Sequence, residues 1–154
     1  MLFRSGIPAV DAYTPRISPD GRFVAYQRRS PNDTHVYLFD RERQTVSRLT
    51  DSDADAQEWW YAWRPDGDAI AFNSSAEESL AGPFRAWEKD VLSAGVGGRL
   101  TADSSSYAPQ EYTPDGSGLL MVRFNVASPT FDLDIVYQDF ATGDVQTKIG
   151  RAHV

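Results

Sequence analysis

Residues that could carry out catalysis are sparse in this 154-residue sequence and form no recognisable constellation. The sequence has no cysteine and two histidines, His35 and His153. It contains no Gly-x-Ser-x-Gly nucleophile elbow, no His-Glu-x-x-His zinc motif and no Gly-x-x-x-x-Gly-Lys phosphate loop. A histidine without a second ligand or a neighbouring nucleophile is more often structural than catalytic. We therefore predict no catalytic residues, no cofactor and no metal site in this chain.

Alternating carboxylates in the run Asp51-Ser52-Asp53-Ala54-Asp55 are of the kind that can converge on calcium. A calcium loop of this type needs glycine at its sixth position and glutamate at its twelfth. Ala56 and Ala62 stand at those positions. The run is therefore interpreted as a solvated loop between structural units.

Aromatic side chains are concentrated at Trp59-Trp60-Tyr61, just before a predicted strand that contains Trp63. Aromatic residues are enriched at binding hot spots, so Trp59, Trp60 and Tyr61 are predicted to form a platform for a ligand or partner. The alternative is that Trp59 and Trp60 cap the gap between neighbouring structural units, because large aromatics serve core packing first. Trp63 is predicted to lie in the core.

A repeated three-residue phrase organises the elements that must position these side chains. It occurs as Pro19-Asp20-Gly21, Pro65-Asp66-Gly67 and Pro114-Asp115-Gly116, whose prolines are 46 and 49 positions apart. Proline fixes φ at a turn corner, aspartate bonds the backbone two residues on, and glycine accepts a positive φ. Each phrase predicts a tight hairpin turn, and their recurrence predicts a structural repeat.

Apolar runs follow the three turns at the same spacing: Val24-Ala25-Tyr26, Ile70-Ala71-Phe72 and Leu119-Leu120-Met121. A continuous apolar run indicates a strand that is buried on both faces. The small side chains of Ala25 and Ala71 are predicted to let a neighbouring sheet approach closely. Each repeat is therefore predicted to be a sheet packed between two others.

The predicted fold class is all-β, a partial β-propeller of about three blades of four-stranded antiparallel sheet whose ring is not closed. The blades are predicted at residues 10–50, 58–101 and 107–148. Three blades cannot close a ring, because propellers typically have four to eight. A solenoid of stacked sheets is the alternative architecture.

Two details of the repeats are less regular. The third strand of the second unit, around Trp87-Glu88-Lys89, is predicted to be short, exposed or irregular. Helix is predicted for no more than a turn or so, at 57–61 and at 76–81.

The sequence resembles the Pro-Asp-Gly repeat of TolB-like β-propellers over nearly all of residues 10–148, most clearly in the first unit. The residues that carry the resemblance are Ser18-Pro19-Asp20-Gly21, Phe23-Val24-Ala25-Tyr26, Val36-Tyr37-Leu38-Phe39-Asp40 and Arg48-Leu49-Thr50. Arg64 departs from the pattern where the repeat has serine, as does Thr113 in the third unit. Similar repeats build the propellers of the prolyl oligopeptidase and dipeptidyl peptidase families.

The resemblance implies a non-catalytic propeller that binds a protein or peptide, as TolB binds peptidoglycan-associated lipoprotein, and a periplasmic location. The alternative is the substrate-gating N-terminal propeller of a prolyl oligopeptidase-like serine peptidase, whose catalytic domain would follow this segment. Fold does not choose between these functions.

The two ends of the chain match a short-read sequencing adapter. Leu2-Phe3-Arg4-Ser5 is encoded by CTC TTC CGA TCT, and Lys148 to Val154 fits the reverse complement of the same adapter. We therefore expect residues 1–5 and 149–154 to be adapter translation and residues 6–148 to be an internal piece of a longer reading frame. Such segments are left out of fold reasoning.

The formal net charge of −7 argues against nucleic acid and anionic membrane surfaces as partners. It agrees with a solvated acidic surface as well as with a basic partner. No apolar run approaches the length needed to span a membrane, so membrane insertion is not expected.

Overall fold

Three successive β-sheets make up the described part of the chain. The computed structural model describes residues 12–51, 56–76, 83–95, 97–124 and 132–149, and within these ranges there are twelve strands and no helix. The strands are β1 (Ala12–Ile17), β2 (Phe23–Arg29), β3 (Thr34–Asp40), β4 (Thr45–Arg48), β5 (Tyr61–Trp63), β6 (Ala69–Ser74), β7 (Arg85–Asp90), β8 (Gly98–Arg99), β9 (Ser106–Tyr112), β10 (Gly118–Phe124), β11 (Leu133–Asp139) and β12 (Val145–Ile149). The predicted all-β class is confirmed.

Each sheet has four strands that pair in chain order. The first contains β1-β2-β3-β4, the second β5-β6-β7-β8 and the third β9-β10-β11-β12. All of these neighbours are antiparallel. The predicted meander of three four-stranded units is therefore confirmed, and none of the three sheets closes on itself.

The Pro-Asp-Gly phrases form the turns between the first two strands of each sheet. The glycines have positive φ values: +76° at Gly21, +80° at Gly67 and +72° at Gly116. Their N–H groups donate to the carbonyl three residues earlier at 2.8, 2.9 and 2.9 Å. The positive φ explains why glycine stands at this corner, because an L side chain there is strained.

The aspartate side chain accepts the same backbone hydrogen bond in each of these turns. Oδ1 of Asp20 accepts a bond from the N–H of Arg22 at 3.0 Å, and Oδ1 of Asp66 accepts one from Asp68 at 2.9 Å. Asp115 repeats the contact with Ser117 at 3.0 Å. This aspartate turn replaces backbone partners that the hairpin corner cannot supply.

The first and second sheets pack face to face. Their shared core contains Ala25, Val36, Leu38 and Leu49 from the first sheet and Tyr61, Ile70 and Phe72 from the second, all of them buried. Ala25 is fully buried, as its small size predicts for a position under a neighbouring sheet. Trp63 lies partly buried against this core, in agreement with its predicted role.

A second core joins the second and third sheets. Three alanines, Ala62, Ala71 and Ala86, form the second sheet's side of it. The third sheet contributes larger side chains: Tyr107, Tyr112, Leu119, Met121 and Val136. The alanine surface lets the tyrosine rings lie close to the sheet backbone, and the second sheet is covered on both faces as predicted.

The third strand of the second sheet is longer and more regular than predicted. β7 has six residues and pairs with all of β6 without a register shift. Its charged sequence is accommodated because the buried Lys89 reaches Asp51 with a 2.9 Å bond. Arg85 is also buried and donates to the carbonyls of Asp103 and Ser105 at 3.2 and 3.1 Å.

Several predictions fall wholly or partly outside the described residues. The acidic run is described at Asp51 alone, and positions 77–81 of the possible second helical turn are not described. The helical turn predicted at 57–61 is wrong, because Gln57 forms a parallel bridge with Thr34 and β5 begins at Tyr61. The expected adapter segments lie outside as well, except for Ile149, which ends β12.

Candidate partner-binding surface

The structure places the three predicted platform residues in different environments. Trp60 is 46% exposed, Trp59 is half-buried, and Tyr61 is 2% exposed. The Tyr61 ring packs between the first two sheets instead of facing solvent. The platform hypothesis therefore depends on Trp59 and Trp60.

Trp60 belongs to a cluster of three aromatic rings from two sheets. Its ring meets that of Phe124, at the end of β10, edge-on with centroids 5.9 Å apart. Phe124 in turn lies 6.1 Å from Phe84, which directly precedes β7. We call Trp60, Phe84 and Phe124 the aromatic shelf. Because Phe84 and Phe124 are only partly buried, the shelf joins an apolar surface to an exposed indole.

A cation extends the aromatic surface on the side of the first sheet. The guanidinium of Arg29, at the end of β2, lies 5.8 Å from the centre of the Trp59 ring. Arg29 is exposed. An arginine over an indole face is attracted by the ring quadrupole, so the positive charge of Arg29 is held over Trp59, beside the shelf.

The backbone of the two tryptophans is fixed by one buried amide. Asn73 is fully buried, and its Oδ1 accepts bonds from the N–H groups of Trp59 at 2.8 Å and Trp60 at 3.1 Å. The N–H of Asn73 donates to the Trp60 carbonyl at 3.0 Å. These three bonds replace regular strand pairing just before β5 and set the direction in which the indoles leave the backbone.

A buried polar cluster anchors the residue that precedes the tryptophans. Glu58 is fully buried, and its Oε2 lies 3.1 Å from Nδ1 of His35. Thr50 donates its hydroxyl to the same carboxylate, and Ser74 reaches the other oxygen at 3.5 Å. Burying a carboxylate is costly unless it is bonded, so these contacts hold the segment in one place. The predicted structural role of His35 agrees with this position.

Tyr61 ties the start of β5 to the first sheet. Its single hydroxyl proton is shared between the carbonyl of Ala25, at 3.0 Å, and that of Thr14. Burial raises the pKa of Tyr61 to about 12. Thr14 has a positive φ of +49° at an irregularity between β1 and β2, which is unusual for a β-branched residue. The contact with Tyr61 stabilises this backbone.

Phe84 and Phe124 were not predicted as part of the surface. Phe84 stands six residues before Asp90, the register position that Thr34 takes before Asp40. An aromatic residue at a position that is polar in the first unit was the available signal. Phe124 gave none, because the end of an apolar strand is an ordinary place for phenylalanine.

The described ranges offer no candidate for a metal site or for a membrane-spanning helix. No group of three or more histidine, cysteine, aspartate or glutamate side chains there is arranged to hold a metal. No helix in those ranges is long and apolar enough to cross a membrane.

Four-stranded antiparallel sheets that pack face to face in series define the chain as a β-propeller repeat protein. Among solved structures it is similar to TolB from Acinetobacter baumannii, with a TM-score of 0.71 and 24% identity over 93% of this chain and 33% of that one. A putative TolB from Agrobacterium tumefaciens gives a TM-score of 0.71 and 23% identity over 92% of this chain and 50% of its own. The chain thus spans half or less of the length of these two proteins.

Peptidase propellers share the same fold. A structure from a study of two prolyl endopeptidases gives a TM-score of 0.69 with 12% identity, over 93% of this chain and 22% of that one. No protein-family model and no curated protein matches the sequence. The similarity to TolB-like propeller repeats that the sequence motifs indicated is therefore confirmed at the level of fold.

Proposed function

We propose that this chain is a non-catalytic, protein- or peptide-binding propeller segment resembling TolB, and that its partner contacts the aromatic shelf. The observation that supports this proposal most is the exposure of Trp60, 46%, while its ring is held edge-on against Phe124. A large ring in a fixed position loses little entropy when it is covered. That combination is typical of a binding hot spot.

The surroundings of Trp60 favour a peptide segment with an apolar or aromatic anchor. Phe84 and Phe124 offer partly buried ring surface, and aromatic pairs gain roughly 0.5–1.5 kcal/mol beyond area burial. Arg29 beside Trp59 supplies one cation at the edge, suited to a carboxylate or a peptide carbonyl. Through the resemblance to TolB we also propose a periplasmic location.

Packing is the competing role for these rings. If Trp59 and Trp60 only cap the gap between neighbouring sheets, removing either ring lowers the free energy of unfolding. Trp59, half-buried beneath Arg29, fits that role better than Trp60 does. The two roles therefore separate most cleanly at Trp60.

A peptide selection tests the proposal. The full chain, immobilised through its N-terminus, is panned against a display library of random peptides, and selected peptides are measured in solution by fluorescence anisotropy. We expect selected peptides to lose at least tenfold in affinity for Trp60→Ala and for Phe124→Ala. Leu92→Ala is the matched control, because Leu92 is an exposed apolar side chain away from the shelf.

Unfolding of the same variants by urea completes the test. Unchanged stability with weakened binding in Trp60→Ala supports a binding surface. Lowered stability with unchanged binding shows that the ring is a packing element, and the proposal is then wrong. Selected peptides that bind all variants equally would also contradict it.

The alternative function is the substrate-gating propeller of a prolyl oligopeptidase-like serine peptidase. The structural similarity to a prolyl endopeptidase over 93% of this chain supports this alternative. Sequencing the source gene beyond Lys148 distinguishes the two functions. A following α/β-hydrolase domain with a Gly-x-Ser-x-Gly elbow would establish the peptidase. The same reads test the proposal that residues 1–5 and 149–154 are adapter translation.

A further inference from the structure

The aromatic shelf and Arg29 lie at the same end of their sheets. The Pro-Asp-Gly turns precede β2, β6 and β10, whereas Arg29 ends β2 and Phe124 ends β10. Trp60 and Phe84 precede β5 and β7, which start at this end because each pairs antiparallel with β6. A partner that covers the shelf is therefore within reach of the charged groups at the end opposite the turns.

Charge is distributed unevenly along the chain. Residues 12–50, which form the first sheet and its loops, contain seven arginines and four acidic side chains. Residues 51–148 contain six lysines and arginines against seventeen aspartates and glutamates. The net negative charge therefore belongs to the later part of the chain, and a ligand at Arg29 meets a sheet with an excess of positive charge.

The guanidinium of Arg29 has its hydrogen-bond donors available. Its contact with the Trp59 ring, at 5.8 Å from the centre, is made through charge and needs no N–H group. Among the residues that the structure describes, this guanidinium has no salt bridge and no hydrogen bond. Arginine carries five N–H donors in a planar fork that matches a carboxylate. Arg29 thus combines a defined position with free donors.

Two further arginines flank the shelf in the sequence, and both are already engaged. Arg123 precedes Phe124, and its Nη2 lies 2.5 Å from Oδ2 of Asp134. Arg85 follows Phe84, is buried, and donates to backbone carbonyls at 3.2 and 3.1 Å. Arg29 is therefore better placed than either of them to receive a new carboxylate.

Asp33 is the acidic residue nearest to Arg29 in the sequence, and its carboxylate is occupied locally. Its Oδ1 accepts a bond from the Ser30 hydroxyl, and its Oδ2 lies 3.8 Å from Nε2 of His35. Asp33 therefore stabilises the loop after β2 instead of neutralising Arg29. The positive charge over Trp59 stays available to a ligand.

We propose that the partner of the aromatic shelf is an acidic segment, in which an aspartate or glutamate lies close in sequence to an apolar anchor. The anchor covers Trp60, and Arg29 binds the carboxylate over Trp59. This inference rests on the proposed function of the shelf and names the chemistry of its ligand. A charge pair at the edge of an apolar contact adds specificity and fixes the register of binding.

The spacing of anchor and carboxylate follows from the backbone between the two sites. Trp59 and Trp60 are consecutive, so their Cα atoms are about 3.8 Å apart. Arg29 lies over the first indole, and Phe124 lies beside the second. An extended segment advances about 3.3–3.6 Å per residue, so about one to three residues are enough to join the anchor to the carboxylate.

A peptide selection identifies the ligand chemistry. The full chain is panned against a display library of random peptides with one fixed central tryptophan, and a parallel selection on Trp60→Ala removes peptides that do not need the shelf. We expect the remaining peptides to carry aspartate or glutamate near the tryptophan more often than the unselected library does, and lysine less often. The most enriched peptide, labelled with fluorescein, is then the probe.

A double-mutant cycle locates the carboxylate. Replacing the acidic residue of the probe by its amide should weaken binding to the native chain by about threefold to fivefold, as for an exposed charge pair. The same replacement should have no effect on binding to Arg29→Gln. Arg28→Gln is the matched control, because Arg28 is also exposed and lies 5.6 Å from the centre of the Tyr37 ring, on the opposite face of β2. The difference between the two probes should persist in this control.

A charge reversal separates charge pairing from lost packing. Arg29→Glu should bind a probe with lysine in place of its acidic residue more tightly than it binds the original probe. Loss of the contact with Trp59 cannot produce this reversal, because it weakens both probes alike. The reversal therefore decides the question if Arg29→Gln also lowers the free energy of unfolding.

The outcomes distinguish this inference from the proposed function. A selection that yields no peptide dependent on Trp60 overturns both. Peptides that depend on Trp60 but carry no excess of acidic residues overturn the acidic ligand and leave the shelf as a binding surface. Equal losses on amide replacement in the native and Arg29→Gln chains do the same, as does a failure of Arg29→Glu to reverse the preference.

Discussion

Arg64 Nη1 lies 3.2 Å from Oε1 of Glu88, and this contact ties the second turn to the third strand of its sheet. The hydroxyl of Tyr112, from the third sheet, donates to the other oxygen of Glu88. In the first and third turns Ser18 and Thr113 stand at the position of Arg64, and their hydroxyls bond within the turn. Arg64 keeps a bond within the turn, from Nε to Asp66 at 2.8 Å, and adds a link that leads to the next sheet.

The first prediction concerns Arg64. Arg64→Ala should lower the free energy of unfolding by roughly 1 kcal/mol, because Asp66 and Glu88 both lose a charged partner at a partly exposed site. Arg64→Ser should cost less, since a serine hydroxyl can bond within the turn as Ser18 does. Urea unfolding measures both, with Arg43→Ala as an exposed arginine control. Equal losses in the two Arg64 variants would show that the turn bond contributes nothing.

The second prediction concerns the glycine of the turn. Gly116→Ala should lower the free energy of unfolding by about 1–2 kcal/mol, because φ is +72° there and an L side chain is strained in that region. Space is not the cause, since an added Cβ would meet its nearest atom, in Pro65, at 4.0 Å. Gly98→Ala is the matched control, because Gly98 has no positive φ and open space. An unaltered stability in Gly116→Ala would contradict the turn geometry.

The third prediction concerns Asp115. Its bond from the Thr113 hydroxyl, followed by those from Ser117, lowers its pKa to about 2. A lowered pKa in the folded state means that the contribution of Asp115 to stability is present above its ordinary pKa, 3.8, and is lost as pH falls to about 2. Thr113→Ala should move the pKa back towards 3.8. Carboxyl-carbon NMR titration measures the change, and a pKa that stays near 2 would show that the hydroxyl is not its cause.

The fourth prediction concerns Tyr61. Tyr61→Phe should lower the free energy of unfolding by about 1 kcal/mol, because the carbonyls of Ala25 and Thr14 lose a buried donor. The pKa of Tyr61 is raised from 10.0 to about 12, so its stabilising contribution is full below pH 10 and is lost as pH rises towards 12. Urea unfolding at pH 8 and tyrosinate absorbance between pH 9 and 13 measure these effects. Tyr13→Phe, at an exposed tyrosine, should leave the free energy of unfolding and the high-pH transition of Tyr61 unchanged.

Much of the fold followed from local chemistry. Proline, aspartate and glycine each impose a backbone state, so three turns could be located without a structure. The continuous apolar runs then predicted cover on both faces of each sheet. Within the described residues the second sheet has it, because Ile70 packs against the first sheet and Ala71 against the third. These inferences needed only neighbouring residues, and for that reason they were predictable.

What was missed depends on partners that are distant in sequence. β7 was predicted to be irregular because Trp87-Glu88-Lys89 stand where the first unit has Tyr37-Leu38-Phe39. Lys89 is nevertheless buried, because it bonds to Asp51 outside its own strand. The burial of Glu58 could not be foreseen, since His35 lies 23 residues away in another sheet. Tyr61 looked like surface because its sequence neighbours are aromatic, whereas its hydroxyl is taken up by the first sheet.

The central claim is that the three repeats pack in series with one register, and NMR scalar coupling across hydrogen bonds tests it most directly. In uniformly labelled protein we expect the amide nitrogen of Glu58 to correlate with the carbonyl carbon of Thr34, and that of Tyr107 with Phe84. These pairs lie in different sheets and are bonded at 2.9 and 2.8 Å. Correlations of Glu58 and Tyr107 with carbonyls of their own sheets would contradict the serial packing.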